Sequence, residues 1–272
     1  MSELQFMFQA LAPVRAAASD KAEMVTQLVF GDVVDVLARD QQWLHVRIAA
    51  DGYAGWIDEK AVLPVDQAWL DTILGWEYVM GDSLAVTGSW AGSPLPLHLS
   101  LGARVPRTPP RTPPRTPPVE NGALHIAIGK WQLEIASNAV CPALPTTAEA
   151  LVAVSARFLG APYLWGGKSL WGIDCSGLTQ MVYSLCGRFL PRDASQQVAL
   201  GTEVAFEDRT AGDLAFFVNK SGKIHHVGLV LPDGNVRHAS GHVHDSLLVS
   251  EGIIGKYTEK QTHTLCNIKR IV

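Results

Sequence analysis

"GIDCSG", residues 172–177, decides the reading of this chain. Four cysteines occur in it, and only Cys175 follows an acid, precedes two small residues and stands where a helical pattern opens. The run "CSGLTQMVYSLCG" puts Leu178, Met181, Val182 and Leu185 on one face, with Gly187 as the left-handed stop. Cys175 therefore falls in the first turn of a helix. Unpaired N–H groups and the helix dipole there favour a thiolate and can hold an oxyanion. The competing reading is a packed, inert thiol, which suits Cys186 on an apolar helix face and Cys266 in a strand.

A thiolate nucleophile needs a base, and the base needs an orienting partner. The stretch "KIHHVGLVLPDGNVRHASG" supplies both. His226 begins one strand and His238 lies on the next, across a Pro-Asp-Gly turn. A two-residue Asp-Gly loop would put the two histidines on opposite faces. A three-residue loop with Gly234 left-handed pairs Gly228 with His238, so His226 and His238 become diagonal neighbours on one face. Val227, Leu229 and Leu231 then point the other way, and His225, at the strand edge, is the weaker candidate. A metal site is the alternative, since His225, His226, His238, His242 and His244 cluster in sequence, but their spacing matches no ligand motif. No metal and no other cofactor is expected.

Outward from this site, residues 146–272 read as an α+β domain. "TTAEALVAVSARFLG" is helical, with Thr146 or Thr147 as N-cap, and "RDASQQVALG" resembles a capping box from Asp193 to Gln196. The strands "DLAFFV", "HHVGLVL", "VRHAS" and "CNIKRIV" follow. Residues 1–70 and 71–145 read as two small β-barrels. The first has four or five short strands between residues 11 and 63, including a hairpin at Asp51-Gly52; the second spans residues 78–141. An insertion at 106–118 carries "RTPP" three times over. It prefers polyproline II and reads as a solvated loop, with an SH3-type ligand as the other possibility.

The 272 residues carry a formal charge of -4, which speaks against a nucleic-acid partner. No apolar run is long enough to span a membrane. The first twenty residues lack the pattern of a signal peptide, and the scattered cysteines suit a reducing compartment. A cytoplasmic location is the expectation.

The stretches "GAPYLWGGKSLWGIDCSGLTQMVYSLCGRFLPRDASQQ", "AGDLAFF", "HHVGLVL" and "VRHAS" closely resemble the NlpC/P60 cysteine peptidases, over about residues 148–272. "APVRAAASDKAEMVTQLVFGDVVDVLARDQQWLHVRIAADGYAGWI" resembles a bacterial SH3 domain, and residues 78–141 match that pattern more loosely. The resemblance implies a papain-like fold with Cys175 as nucleophile, His226 as base and His238 as the orienting residue. It also implies γ-D-glutamyl-L-diamino-acid endopeptidase activity on free murein peptides with an N-terminal L-Ala. On the same ground Tyr163 lines the pocket near the reacting carbonyl, Ser176 belongs to the site, and Asp174 and Ser195 face the substrate's amine. Trp165 and Trp171 either shape the walls or pack the core. Glu23 and Tyr53 are matched to amine-binding positions in the SH3-like unit; otherwise Glu23 is a solvated loop acid and Tyr53 a barrel-packing aromatic. Two other functions compete: a cell-wall peptide-binding module without turnover, and a papain-like amidase or acyltransferase on lipid or another amide. The intact Cys/His/His set argues against the first, and the lack of an amphipathic segment argues against lipid.

Overall fold

The structure is a computed structural model that describes residues 3–81, 86–90, 96–107, 122–128, 131–256 and 258–272. From residue 108 on, the proline-rich insertion lies outside the described residues. The chain forms two compact units, Met1–Ala143 and Leu144–Val272.

In the first unit, β1 (Leu4–Met7), β2 (Leu11–Arg15), β3 (Met24–Val29), β4 (Val33–Asp40), β5 (Trp43–Ile48), β6 (Ala54–Asp58) and β7 (Val62–Val65) make one sheet ordered β3-β2-β6-β5-β4-β1-β7. Gly52 turns the β5–β6 hairpin with φ +75. Strand β1 lies ahead of the stretch that the sequence marks as strands; "LQFM" is too short to show a period, and its pairing with β4 and β7 makes it a strand. A short helix α1 (Gln67–Asp71), capped by Asp66, leads to β8 (Gly75–Val79), β9 (Val86–Trp90), β10 (Pro96–Leu99), β11 (Arg104–Arg107), β12 (Ala123–Ile128), β13 (Trp131–Ala136) and β14 (Val140–Pro142). These form two small sheets, β10-β9-β13-β12 and β11-β8-β14. They do not stand apart from the first sheet. Phe6, Phe30 and Val33 pack in one core with Val79, Val86, Leu99, Val105, Leu133 and Ile135, and the Phe6 and Phe30 rings meet edge-on at 5.4 Å. Pooling apolar area in this way offsets the weakness of sheets too small to bury a core alone.

The second unit opens with α2 (Ala148–Ala156), where Thr147 Oγ1 accepts from the Ala150 N–H. A two-strand ribbon, β15 (Lys168–Ser169) and β16 (Gly172–Ile173), precedes α3 (Cys175–Leu185) and the single turn α4 (Ala194–Gln197). Gly187, at φ +77, ends α3, and the Arg188 N–H reaches the Tyr183 carbonyl. Then come β17 (Thr202–Val204), β18 (Leu214–Val218), β19 (Ile224–Val230), β20 (Val236–Ser240), β21 (His242–Val249), β22 (Gly252–Ile254) and β23 (Gln261–Arg270). The sheet runs β17-β23-β18-β19-β20-β21-β22, and β22 also pairs with β23, so β18 to β23 close on themselves. Closure removes free edges. One sheet face gathers Ala215, Phe217, Val230, Val236, Leu248 and Ile253 in a buried cluster, while helices α3 and α4 pack against β19.

Candidate active site

The register of the β19–β20 hairpin places the two histidines. Leu229 pairs with Arg237 and Val230 with Val236, which sets Gly228 opposite His238. The loop is Pro-Asp-Gly, with Gly234 at φ +81 and the Leu231 N–H bonded to the Asn235 carbonyl. By strand alternation His226 shares a face with Val230, and His238 with Val236. A Cβ on Gly228 would lie 2.5 Å from Val236 and 3.1 Å from the His238 Cβ, so the bare backbone there leaves room for the imidazole. His226 Nε2 and His238 Nδ1 are 2.9 Å apart, and both residues are buried.

His238 Nε2 continues the chain to Ser246 Oγ at 3.1 Å. Ser246 is buried on β21, a strand that the sequence does not announce because His244 and Asp245 interrupt its apolar alternation. If His226 carries its proton on Nε2, His238 accepts at Nδ1 and donates from Nε2 to Ser246. That tautomer leaves His226 Nδ1 as the ring nitrogen able to take a proton. A second residue outside the sequence expectation, His263 on β23, stacks on His226 with ring centroids 4.2 Å apart.

Cys175 opens α3 and is 7% exposed. Its Sγ lies 4.0 Å from the His225 carbonyl oxygen, and the N–H groups of Val227 and Ser176 point at it, so the sulfur sits beside the His226 backbone. Burial first, and the Asp174 charge second, push the thiol up to about 12. Burial, then the neighbouring imidazoles, holds His226 well below its ordinary 6.5 and brings His238 down to about 3. The resting pair is therefore a neutral thiol beside a neutral imidazole, and the proton moves at attack.

Asp174 is engaged otherwise than the sequence suggests. Its Oδ1 accepts from the Gly177 N–H at 2.7 Å, capping α3, and from Arg192 Nη1 at 3.0 Å. Its Oδ2 accepts from the Gly166 N–H at 2.8 Å and from Arg192 Nη2 at 2.5 Å. A buried, bidentate guanidinium thus balances its charge, which weakens the field it offers to a substrate amine. Ser176 Oγ joins this network, accepting from Arg192 at 2.9 Å. Gln197 ties α4 to α3 through Thr179 Oγ1 and the Ser176 carbonyl, and Ser195 on the same turn is exposed.

Tyr163 is held by its N–H to the Gly241 carbonyl and by a bridge to Ile173. Burial, with Cys175 and Asp174 next, pushes its phenol up to about 12, so near neutral pH it stays a donor close to Cys175. Trp165 and Trp171 are 60% and 42% exposed, which favours a wall over core packing. Glu23 and Tyr53 belong to the first unit; Glu23 is exposed, and Tyr53 is half-buried against that unit's barrel core. The clustered histidines stack one on another, and among the described residues no group of His, Cys, Asp or Glu is arranged to hold a metal ion.

A closed sheet carrying two linked histidines, packed against a helix that starts with a cysteine, is a papain-like architecture with the residue types of a thiol nucleophile and its base. Residues 160–264 match the NlpC/P60 family and residues 14–62 the bacterial dipeptidyl-peptidase Sh3 domain, so the chain carries an NlpC/P60 domain preceded by a bacterial SH3 domain. A γ-D-glutamyl-L-lysine dipeptidyl-peptidase of Bacillus subtilis (strain 168) is 41% identical over 128 residues, covering 46% of this chain and 41% of that protein. A protein of the same name from Bacillus cereus (strain ATCC 10987 / NRS 248) is 29% identical over 229 residues, 80% of this chain and 67% of that one. The crystal structure of an NlpC/P60 family protein from Bacillus cereus ATCC 10987 superposes with a TM-score of 0.80 at 21% identity, over 98% of this chain and 99% of that one. At that identity the likeness speaks for the fold.

Proposed function

We propose that the protein is a cysteine peptidase that hydrolyses the bond between γ-D-Glu and a diamino acid in free murein peptides beginning with L-Ala, in cell-wall recycling. The observation that carries the reading is the hydrogen-bonded line from His226 through His238 to Ser246, set beside the Cys175 sulfur. The names of the two Bacillus relatives support the substrate class.

Cys175 Sγ attacks the γ-carbonyl carbon of D-Glu as His226 Nδ1 takes the thiol proton. The developing oxyanion meets the start of α3 and the Tyr163 hydroxyl. His226 gives its proton to the departing amine, the C–N bond breaks, and a thioester remains. Water then loses a proton to His226 and attacks the thioester carbon, releasing the carboxylate, and the proton returns to sulfur. His238 holds the ring of His226 and accepts the hydrogen bond from its Nε2–H throughout.

The L-Ala amine of the peptide is a cation near neutral pH and needs anionic or hydrogen-bonding partners. Because Arg192 balances Asp174, the reading gives more of this work to Ser195. The free cysteines, Cys266 among them exposed, support a reducing, cytoplasmic setting. Incubation with L-Ala-γ-D-Glu-diaminopimelate, free or N-acetylated, with products read by mass, tests the proposal. Release of L-Ala-D-Glu from the free peptide alone is expected. Equal cleavage of both would remove the amine requirement, and binding without cleavage would leave a binding module.

A further inference from the structure

The base His226 is stacked as well as hydrogen-bonded. The His263 ring lies over it with a centroid separation of 4.2 Å and an interplanar angle of 27°. His225 stacks with His263 in turn, at 5.8 Å and 17°, and Phe217 meets it edge-on at 5.9 Å. The tautomer of His263 follows from its neighbour. Thr262 Oγ1 donates to the Ile253 carbonyl at 3.3 Å, so the same oxygen, 2.9 Å from His263 Nδ1, accepts from that nitrogen. His263 Nε2 then carries a lone pair and can take a proton. Residue 263 reaches this place because a bulge between Phe216 and Phe217 shifts the β18–β23 register, while Ile253 pairs with His263 on the closing side of the sheet.

We propose that His263 is a positioning residue for the base: as a neutral ring it fixes the plane of His226 and supports the imidazolium that forms there, and once it has taken a proton itself it blocks that step. The proposal rests on the reading of His226 as base to Cys175. A neutral aromatic face stabilises a cation lying over it, whereas a second imidazolium at this distance repels it in a site that excludes water. The titratable groups that face His263 are imidazoles on three strands: His225 and His226 on β19, His238 on β20 and His244 on β21. The Cys175 sulfur, at the start of α3, lies 4.0 Å from the carbonyl of His225, the residue before the base. Burial brings His263 to about 4 and holds His226 well below its ordinary value. His226 is buried and His263 only half-buried, so acid reaches His263 first.

The test uses alkylation of Cys175 by iodoacetamide, followed by the mass of the Cys175 peptide across a pH series, because it needs no substrate. The full-length protein is compared with His263→Phe and His263→Ala, each checked by circular dichroism. His263→Phe keeps a ring that cannot charge; its alkylation rate above neutral pH should stay within about twofold of the parent, and its acid limb should move to lower pH. His263→Ala loses the ring and should slow by about fivefold or more at every pH. An acid limb unmoved by His263→Phe, or an unslowed His263→Ala, overturns the proposal. Should neither variant fold, imidazole nitrogen shifts of the unaltered protein decide the matter: His263 must take its proton before His226, and the reverse order overturns it. Hydrolysis of the γ-D-Glu peptide is read in parallel. Absent hydrolysis with these alkylation profiles intact would defeat the substrate reading alone.

Discussion

Residue by residue, the site works through what burial does to each group. Cys186 is a thiol that burial pushes up to about 11, on the apolar face of its helix, so it stays inert. Cys175 is pushed further, to about 12, but its sulfur sits beside the His226 backbone. Cys175→Ala should abolish turnover, whereas Cys141→Ala, Cys186→Ala and Cys266→Ala should each keep it, as measured by peptide release under identical conditions. Gly228 is the second position where a single atom decides. A Cβ there meets Val236 at 2.5 Å and the Arg237 carbonyl at 3.0 Å. Gly228→Ala should cost about 1–3 kcal/mol in denaturant unfolding and lower kcat more than KM changes, because His238 is displaced from His226. Unchanged kcat in that variant would show that the ring does not use this space.

At the scale of elements, two devices align the groups. Helix α3 begins where the Asp174 carboxylate caps it, and the buried Arg192 locks that cap in place. The β19–β20 hairpin sets the histidine register through its odd-length loop. Strand side chains alternate with period two, so shortening the loop by one residue turns one strand over. Deleting Asp233 should carry His238 to the face away from His226. Loss of turnover in a protein that keeps its β-sheet signal is the expected outcome, and retained turnover would mean that the hairpin reforms its register elsewhere.

For the molecule as a whole, the buried imidazoles make stability depend on pH. His238 is depressed to about 3 and His263 to about 4, while the unfolded chain titrates near 6.5. Above neutrality neither state binds these protons and the contribution is flat. As pH falls below 6.5 the unfolded chain takes protons that the folded one refuses, so stability falls, by at most about 1.4 kcal/mol per pH unit for each fully buried ring. The loss continues down to the folded values. Hydrogen exchange of the β19 and β20 peptides should therefore be constant above neutrality and quicken progressively as the pH drops toward 4. Exchange independent of pH, after correction for its intrinsic rate, would show that these rings are solvated.

The sequence by itself determined what is local. Thr147, one of the two threonines that the spacing of polar and apolar residues offers, caps α2. The Cys175 helix start and the diagonal placement of His226 and His238 were legible because a helix period and a three-residue loop constrain neighbours within about a dozen positions. Only the tertiary structure decided the rest. Ser246 comes from β21, paired beside β20, and His263 from β23, where it depends on a bulge that no pattern of apolar residues announces. Arg192 finds Asp174 across eighteen positions and turns an acid that reads as a substrate contact into half of a buried ion pair. Phe6 and Phe30 join apolar residues of the following strands in one core, where composition suggests two barrels. The physical reason is common to all of these. Hydrogen-bond geometry along the chain is set by neighbouring residues, whereas which faces meet depends on how distant strands bury their apolar area together.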